Sequence, residues 1–212
     1  MSITIIGDVH GKFDKYIELT KQYPYTVQLG DMGFNYSKLY SLDHNYHRFF
    51  KGNHDNHDIQ DENNPPCWLG EYGNIRLNNV NFFYISGAWS IDHKQRQKYE
   101  PLWGKTWWEN EELSYDTLNK AIDLYTKCQP QIMLSHECPQ EVVRYVTNPE
   151  VTRDFGYSGQ VIRTRTNQAL QACFDVWQPK VWVFGHFHTK FHRKINNTDF
   201  VCLPELDVLT IY

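Results

Sequence analysis

No stretch of this chain is apolar enough to cross a membrane. Its longest purely apolar runs, such as Val181-Trp-Val-Phe184, are a few residues long, where a span needs ~20. Nor is there an excess of positive charge: 21 Lys and Arg stand against 25 Asp and Glu, a net charge of −4. That balance excludes a nucleic-acid binder that grips its ligand through a broad basic face. It leaves room for a phosphate substrate held through metal. The cysteines, at 67, 128, 138, 173 and 202, are odd in number and form no Cys-x-x-Cys pair. They are expected to be reduced thiols, not a disulfide framework. No basic, apolar and small-residue succession opens the chain, so the expected location is the cytoplasm. Repeats, low-complexity tracts and linkers are missing too.

What is present describes a folded protein. Hydrophobic residues make up 41% of the 212 and charged residues 22%, enough to bury a core. The length predicts a single domain over 1–212, with one aromatic-rich insert at about 87–113. Aromatics reach 16%, including seven Trp, and there are ten His.

Three early segments share one layout. Ser2–Ile6, Tyr25–Leu29 and Arg48–Lys51 are short, β-branched or aromatic strands. Each runs into glycine and a polar residue: Gly7-Asp8, Gly30-Asp31 and Gly52-Asn53. Residues 12–23 carry apolar side chains at helical spacing, with Pro24 following. Residues 37–46 are ambiguous between helix and loop. Residues 74–86 read as a hairpin turning at Asn78-Asn79. A helix is predicted at 114–128, a strand at 131–135 leading into His136, and a helix at 161–177. Another strand at 181–184 leads into Gly185-His186, and strands fill the last twenty residues. The segment 87–113 is predicted to be a long loop, with a capping box at Thr106 and Glu109. This alternation is that of an open α/β sheet whose site lies beyond the strand ends.

The residues standing after those strands are all oxygen or imidazole donors: Asp8, His10, Asp31, Asn53, His54, Asp55, His136, His186 and His188. They are expected to gather along one edge of one sheet. Aspartate and imidazole together suit Mn, Fe, Zn or similar ions and not calcium. Seven candidate ligands are too many for one tetrahedral ion and match two. The remaining five histidines, at 44, 47, 57, 93 and 192, are read as ordinary surface or packed side chains. The string Gly7-Asp-Val-His-Gly-Lys12 is one residue short of a P-loop and has Phe13 where Ser or Thr would be needed.

The ordered set Asp8-x-His10, Gly30-Asp31, Gly52-Asn-His-Asp55, His136 and Gly185-His-Phe-His188 resembles the calcineurin-like metallophosphoesterase superfamily. Its successive spacings are about 23, 22, 83 and 50 residues. The resemblance implies an α/β fold of four layers, two mixed β-sheets packed face to face with helices outside. It also implies two divalent metal ions, with Mn(II) expected foremost and Fe, Zn, Ni or Mg as alternatives. By position, Asp8, His10, Asp31 and His188 would hold one ion; Asp31, Asn53, His136 and His186 would hold the other, with Asp31 bridging. His54 matches the histidine that contacts phosphate or protonates the leaving group, and Asp55 the acidic residue that orients it. The implied activity is hydrolysis of phosphate mono- or diesters by attack of a metal-bound water or hydroxide. The implied substrate is a phosphorylated small molecule, a nucleotide or a nucleic-acid end. The alternative is a non-catalytic, metal-binding interaction scaffold on the same fold.

Two departures narrow this. The protein-phosphatase branch carries two phosphate-gripping arginines where this chain has Gly30-Asp-Met-Gly-Phe34 and Lys51-Gly-Asn-His-Asp55, and lysine does not reproduce arginine's fork. The strings Gly87-Ala-Trp-Ser-Ile-Asp92, Trp107-Trp-Glu-Asn-Glu-Glu112 and Ser135-His-Glu-Cys-Pro139 resemble small bacterial and phage members. A bacterial or viral source is expected, with the host cytoplasm as location if viral. The insert is expected to form a wall or lid over the metals, with Lys94, Arg96 and Lys98 available to further phosphates.

Overall fold

A computed structural model describes residues 2–158 and 161–212. In chain order its elements open with β1 (Ile3–Ile6), α1 (Phe13–Gln22), β2 (Thr26–Gln28), β3 (His47–Phe49), β4 (Tyr72–Leu77), β5 (Val80–Ile85) and α2 (His93–Trp103). They continue with α3 (Tyr115–Cys128), β6 (Ile132–Ser135), α4 (Gln140–Val146), α5 (Pro149–Asp154), α6 (Arg165–Val176), β7 (Val181–Phe184), β8 (Phe191–Ile195), β9 (Thr198–Cys202) and β10 (Val208–Ile211). Two sheets result, ordered β10-β1-β2-β3 and β4-β5-β6-β7-β9-β8. Both are mixed: β1, β2 and β3 run parallel with β10 antiparallel, and β5, β6, β7 and β9 run parallel between antiparallel edges β4 and β8.

The period of two along each strand decides the layering. Ile3 and Ile5 of β1 pack inward against Phe82 and Tyr84 of β5, Leu134 of β6 and Val183 of β7, which makes the core between the sheets. Their alternates face out. Phe83, Met133, Trp182, Phe184, Phe200 and Cys202 meet Leu118, Ala121 and Tyr125 of α3, Val142 and Val143 of α4, and Leu170 and Phe174 of α6. On the far side Ile6 and Phe49 meet Tyr16 of α1 and Leu39. The order is helix, sheet, sheet, helices. Trp182 is fully buried, and its indole N–H donates to Ser135 Oγ at 2.8 Å. Trp182→Ala should cost about 3–5 kcal/mol, read as a lowered denaturant midpoint at unchanged m-value.

The hairpin turns at Asn78 and Asn79, both at positive φ (47° and 62°). That is the geometry a two-residue turn demands and asparagine tolerates. Elsewhere the segment predicted as loop differs, for α2 lies inside it. Its only buried residue is Arg96 and it contains Pro101, so no apolar stripe announces it. Thr106 and Glu109 form no capping box; Glu109 opens a short 3-10 turn after Trp108. Residues 161–164 are not helical, and α6 begins where Thr164 and Asn167 cap each other reciprocally. Residues 37–41 form a 3-10 turn, and α4 and α5 had no counterpart in the sequence reading. All five cysteines are free. Among the described residues no helix is long and apolar enough to cross a membrane.

Candidate metal centre

Both sheets feed the site, which corrects the expectation of a single sheet edge. Asp8 and His10 follow β1, Asp31 follows β2, and Asn53 and His54 follow β3. His136 follows β6, and His186 and His188 follow β7, both in the other sheet. Strand ends of two face-to-face sheets bring the loops together across the inter-sheet core.

Asp8, His10, Asp31 and His188 each offer a ligand atom, and these atoms all lie within 4.8 Å of one another. His10 Nε2 and His188 Nε2 are 3.0 Å apart. His188 Nε2 is 3.2 Å from Asp8 Oδ2, and His10 Nε2 is 3.8 Å from Asp31 Oδ2. A second group adjoins it. His136 Nε2 stands 3.1 Å from both Asp31 Oδ1 and Asn53 Oδ1, and His186 Nδ1 is 2.9 Å from Asn53 Oδ1. Asp31 therefore belongs to both groups. The other nitrogen of His136, Nδ1, is 2.8 Å from the Leu29 carbonyl. A backbone carbonyl there can accept from Nδ1–H and leaves Nε2 turned toward Asp31 and Asn53, the outer arrangement common for a metal-binding imidazole.

Glycine is needed where the chain passes closest. A Cβ on Gly52 would strike Asp31 Oδ1, and one on Gly185 would strike Asp8 Oδ1. The side chains themselves sit on uncommon backbone. His10, Asp31, His186 and His188 all have positive φ, at 48°, 56°, 67° and 50°, a region that L-residues seldom occupy outside functional sites.

The electrostatics ask for a cation. Asp8 and Asp31 are fully buried side by side. Burial raises both, yet neighbouring histidines hold Asp8 at about 2 and Asp31 well below its ordinary value. Burial opposes a charge on His136, but Asp31 and Asp8 push its pKa up to about 10. Burial and the charge on His136 press His186 down to about 3. Opposite charges thus concentrate where carboxylate and imidazole donors converge. Asp31 Oδ2 is buried without a hydrogen-bond partner, and a buried carboxylate oxygen is seldom left so. Ligand atoms bound to one ion at ~2.1 Å and roughly at right angles lie ~3.0 Å apart. The donor set fits divalent metal by identity, by spacing and by its orphaned oxygen.

His54 sits beside this centre. Its backbone N–H donates to Asp31 Oδ1 at 2.6 Å, and its ring lies edge-on to His10 with centroids 5.2 Å apart. Burial lowers its pKa, while Asp31 and Asp92 oppose that. Asp55 differs from expectation. Its carboxylate accepts from the backbone N–H groups of Gly52, Met32 and Gly33 and from the Tyr36 hydroxyl, and not from the His54 ring. Fully buried, it ties the loop after β3 to the loop after β2.

The sequence reading missed Ser90 and Glu111 and misplaced Arg96. Asn53 Nδ2 donates to Ser90 Oγ at 3.0 Å; Ser90 Oγ donates to Glu111 Oε2 and accepts from Arg96 Nη1, both at 2.7 Å. All four residues are buried. The chain turns the Asn53 amide so that Oδ1 faces His136 and His186. The basic residues at 94, 96 and 98 do not line the site, and Trp103 is exposed while Trp108 is buried. Trp89, Ile91 and Asp92 do form a wall beside the histidines. The strings Gly87–Asp92 and Trp107–Glu112 signalled this region, without a role for Ser90 or Glu111.

The calcineurin-like phosphoesterase family profile matches residues 1–190. Nothing among curated proteins matches the chain. Solved structures similar to it include the Plasmodium inner-membrane-complex anchor GAP50, at 9% identity and TM-score 0.46, covering 96% of this chain and 71% of that one. A putative 5′-nucleotidase from Staphylococcus aureus is 10% identical at TM-score 0.47, covering 99% of this chain and 50% of that one. An archaeal phosphodiesterase is 10% identical at TM-score 0.37, covering 97% and 84%.

Proposed function

This chain belongs to the calcineurin-like phosphoesterase family, and from that premise we propose that it hydrolyses phosphate esters with two divalent ions, Mn(II) foremost. Asp8, His10, Asp31 and His188 would hold one ion and Asp31, Asn53, His136 and His186 the other. The observation that carries this reading is Asp31, shared by both donor groups and left with one buried oxygen unpartnered. Bound there, divalent ions supply Lewis-acid polarisation of a phosphoryl group and acidify water.

The chain's own residues do the rest. Asn53 is neutral, so the site gathers donors without adding a third carboxylate against an anionic substrate. Ser90, Arg96 and Glu111 fix its amide. His54, beside the centre and free of any hydrogen bond to its ring among the described residues, is placed to bond a phosphoryl oxygen or to protonate the leaving oxygen. Asp55 positions the loop that carries His54.

The test is metal analysis of purified protein followed by p-nitrophenyl phosphate and bis-p-nitrophenyl phosphate assays with Mn(II). Turnover abolished by chelation and restored by metal supports the hydrolase. Two ions bound with no turnover on any ester would leave the scaffold reading instead. A narrower expectation concerns Ser90→Ala, which frees the Asn53 amide to rotate. Affinity for one of the two ions should fall roughly 10–100-fold, measured by competition with a fluorescent chelator, with a lowered melting temperature besides, since Arg96 and Glu111 each lose a buried partner.

A further inference from the structure

The site histidines stand at one end of a cavity of about 480 Å³. Specific small-molecule sites span roughly 300–1,000 Å³, and a phosphoryl group would fill only the end beside the histidines. The remainder has a different chemistry. Val143 and Val146 of α4, Val151 of α5, Phe155 and Ile162 give it apolar walls. Trp89 completes them, fixed by Tyr157 and His93 at centroid distances of 5.5 and 5.2 Å.

Charge in this part of the cavity has one sign. Among the described residues no lysine or arginine lines it, and beyond the site its acidic side chains are Asp92 and Glu137. The Glu137 oxygens already accept from Thr164 Oγ1 and Asn167 Nδ2. A second phosphate or sulfonate would therefore be desolvated with no counter-charge, an arrangement that costs heavily.

We propose that this cavity receives the alcohol portion of the ester, and that the preferred substrate carries one phosphate on a large, uncharged, apolar aryl or alkyl group. The proposal rests on the hydrolase reading above. In the reaction water gives one proton to solvent, its oxygen forms a new bond to phosphorus, and the bond from phosphorus to the alcohol oxygen breaks. The alcohol leaves into the cavity with a proton from His54, which solvent replaces. Chains of phosphates, whether a dinucleoside polyphosphate or a nucleic-acid strand, do not suit this cavity.

The experiment compares phenyl phosphate, 2-naphthyl phosphate and a sulfonated 2-naphthyl phosphate, whose leaving oxygens are of similar basicity. The expected kcat/KM is at least about tenfold higher for 2-naphthyl than for phenyl, and lower again for the sulfonate. Val151→Arg, at an exposed position of the wall, should reverse the preference between naphthyl and sulfonated naphthyl. Binding is measured separately, with non-hydrolysable 2-naphthylmethyl phosphonate and methyl phosphonate titrated against the Mn(II)-loaded protein. Tighter binding of the naphthyl compound without turnover of any ester would uphold the cavity and overturn the hydrolase. Equal binding of the two phosphonates, or equal kcat/KM for all three esters with no response to Val151→Arg, would overturn the cavity assignment and leave the hydrolase standing.

Discussion

Asp31→Asn should empty both metal positions and lower turnover by roughly 10³-fold, the several kcal/mol that metal ions supply to phosphoryl chemistry. Asparagine keeps the size of the side chain and an oxygen for the His54 backbone N–H, so folding should survive. What it removes is the charge shared by the two donor groups. Without that charge His136 also loses the main attraction that pushes its pKa up to about 10. Mass-spectrometric metal analysis should find both ions depleted, not one. Two ions per chain with wild-type turnover would remove Asp31 from the bridging position. Asp8→Asn makes an informative companion, because Asp8 belongs to only one group and its loss should leave the other ion partly bound.

His54→Ala should behave differently: both ions stay and turnover falls by ~10²–10⁴-fold. His54 touches the centre through its backbone and stacks edge-on against His10, so truncating its ring removes no proposed metal ligand. The leaving group decides its role. If His54 gives a proton to the leaving oxygen, the loss should be large for an alkyl ester and small for a nitrophenyl ester, whose anion departs unaided. An equal loss for both would restrict His54 to holding the phosphoryl group. The free protein adds a constraint, since burial lowers the His54 pKa below its ordinary value. Proton donation then requires the bound phosphate dianion to restore it, and the alkyl-ester rate should decline as pH rises through that restored value.

Four of the five strand ends were legible because a short strand is closed by glycine before a polar residue; the fifth runs from Ser135 straight into His136. Chemistry there depends on residue identity, which the sequence states directly. That two sheets converge on the site was not legible, because strand periodicity says which face is buried and not which sheet a strand joins; the family resemblance implied two packed sheets, not that both carry the donors. The interval 87–113 was misread for a physical reason. Helix α2 points inward with the guanidinium of Arg96, and an inward charge is invisible to an apolar count. Its partners Ser90 and Glu111 are 6 and 15 residues away in sequence, so only the folded chain pairs them. The role of Asp55 came from the family resemblance and not from its adjacency to His54, and nothing in the sequence signals that its carboxylate turns to three backbone amides and a tyrosine.

The four left-handed residues at the centre have a consequence for how the chain could change. Left-handed backbone costs a non-glycine residue on the order of 1 kcal/mol, somewhat less for Asp and His. Four such positions together approach the lower part of the whole net stability of a domain, ~5–15 kcal/mol. For folding alone, glycine would serve better at 10, 31, 186 and 188. Drift under selection for stability only would erase these proposed ligands first, and a descendant freed from chemistry would keep the sandwich and lose its imidazoles. The side chains at these four positions therefore record whether a related sequence is still under demand as a catalyst.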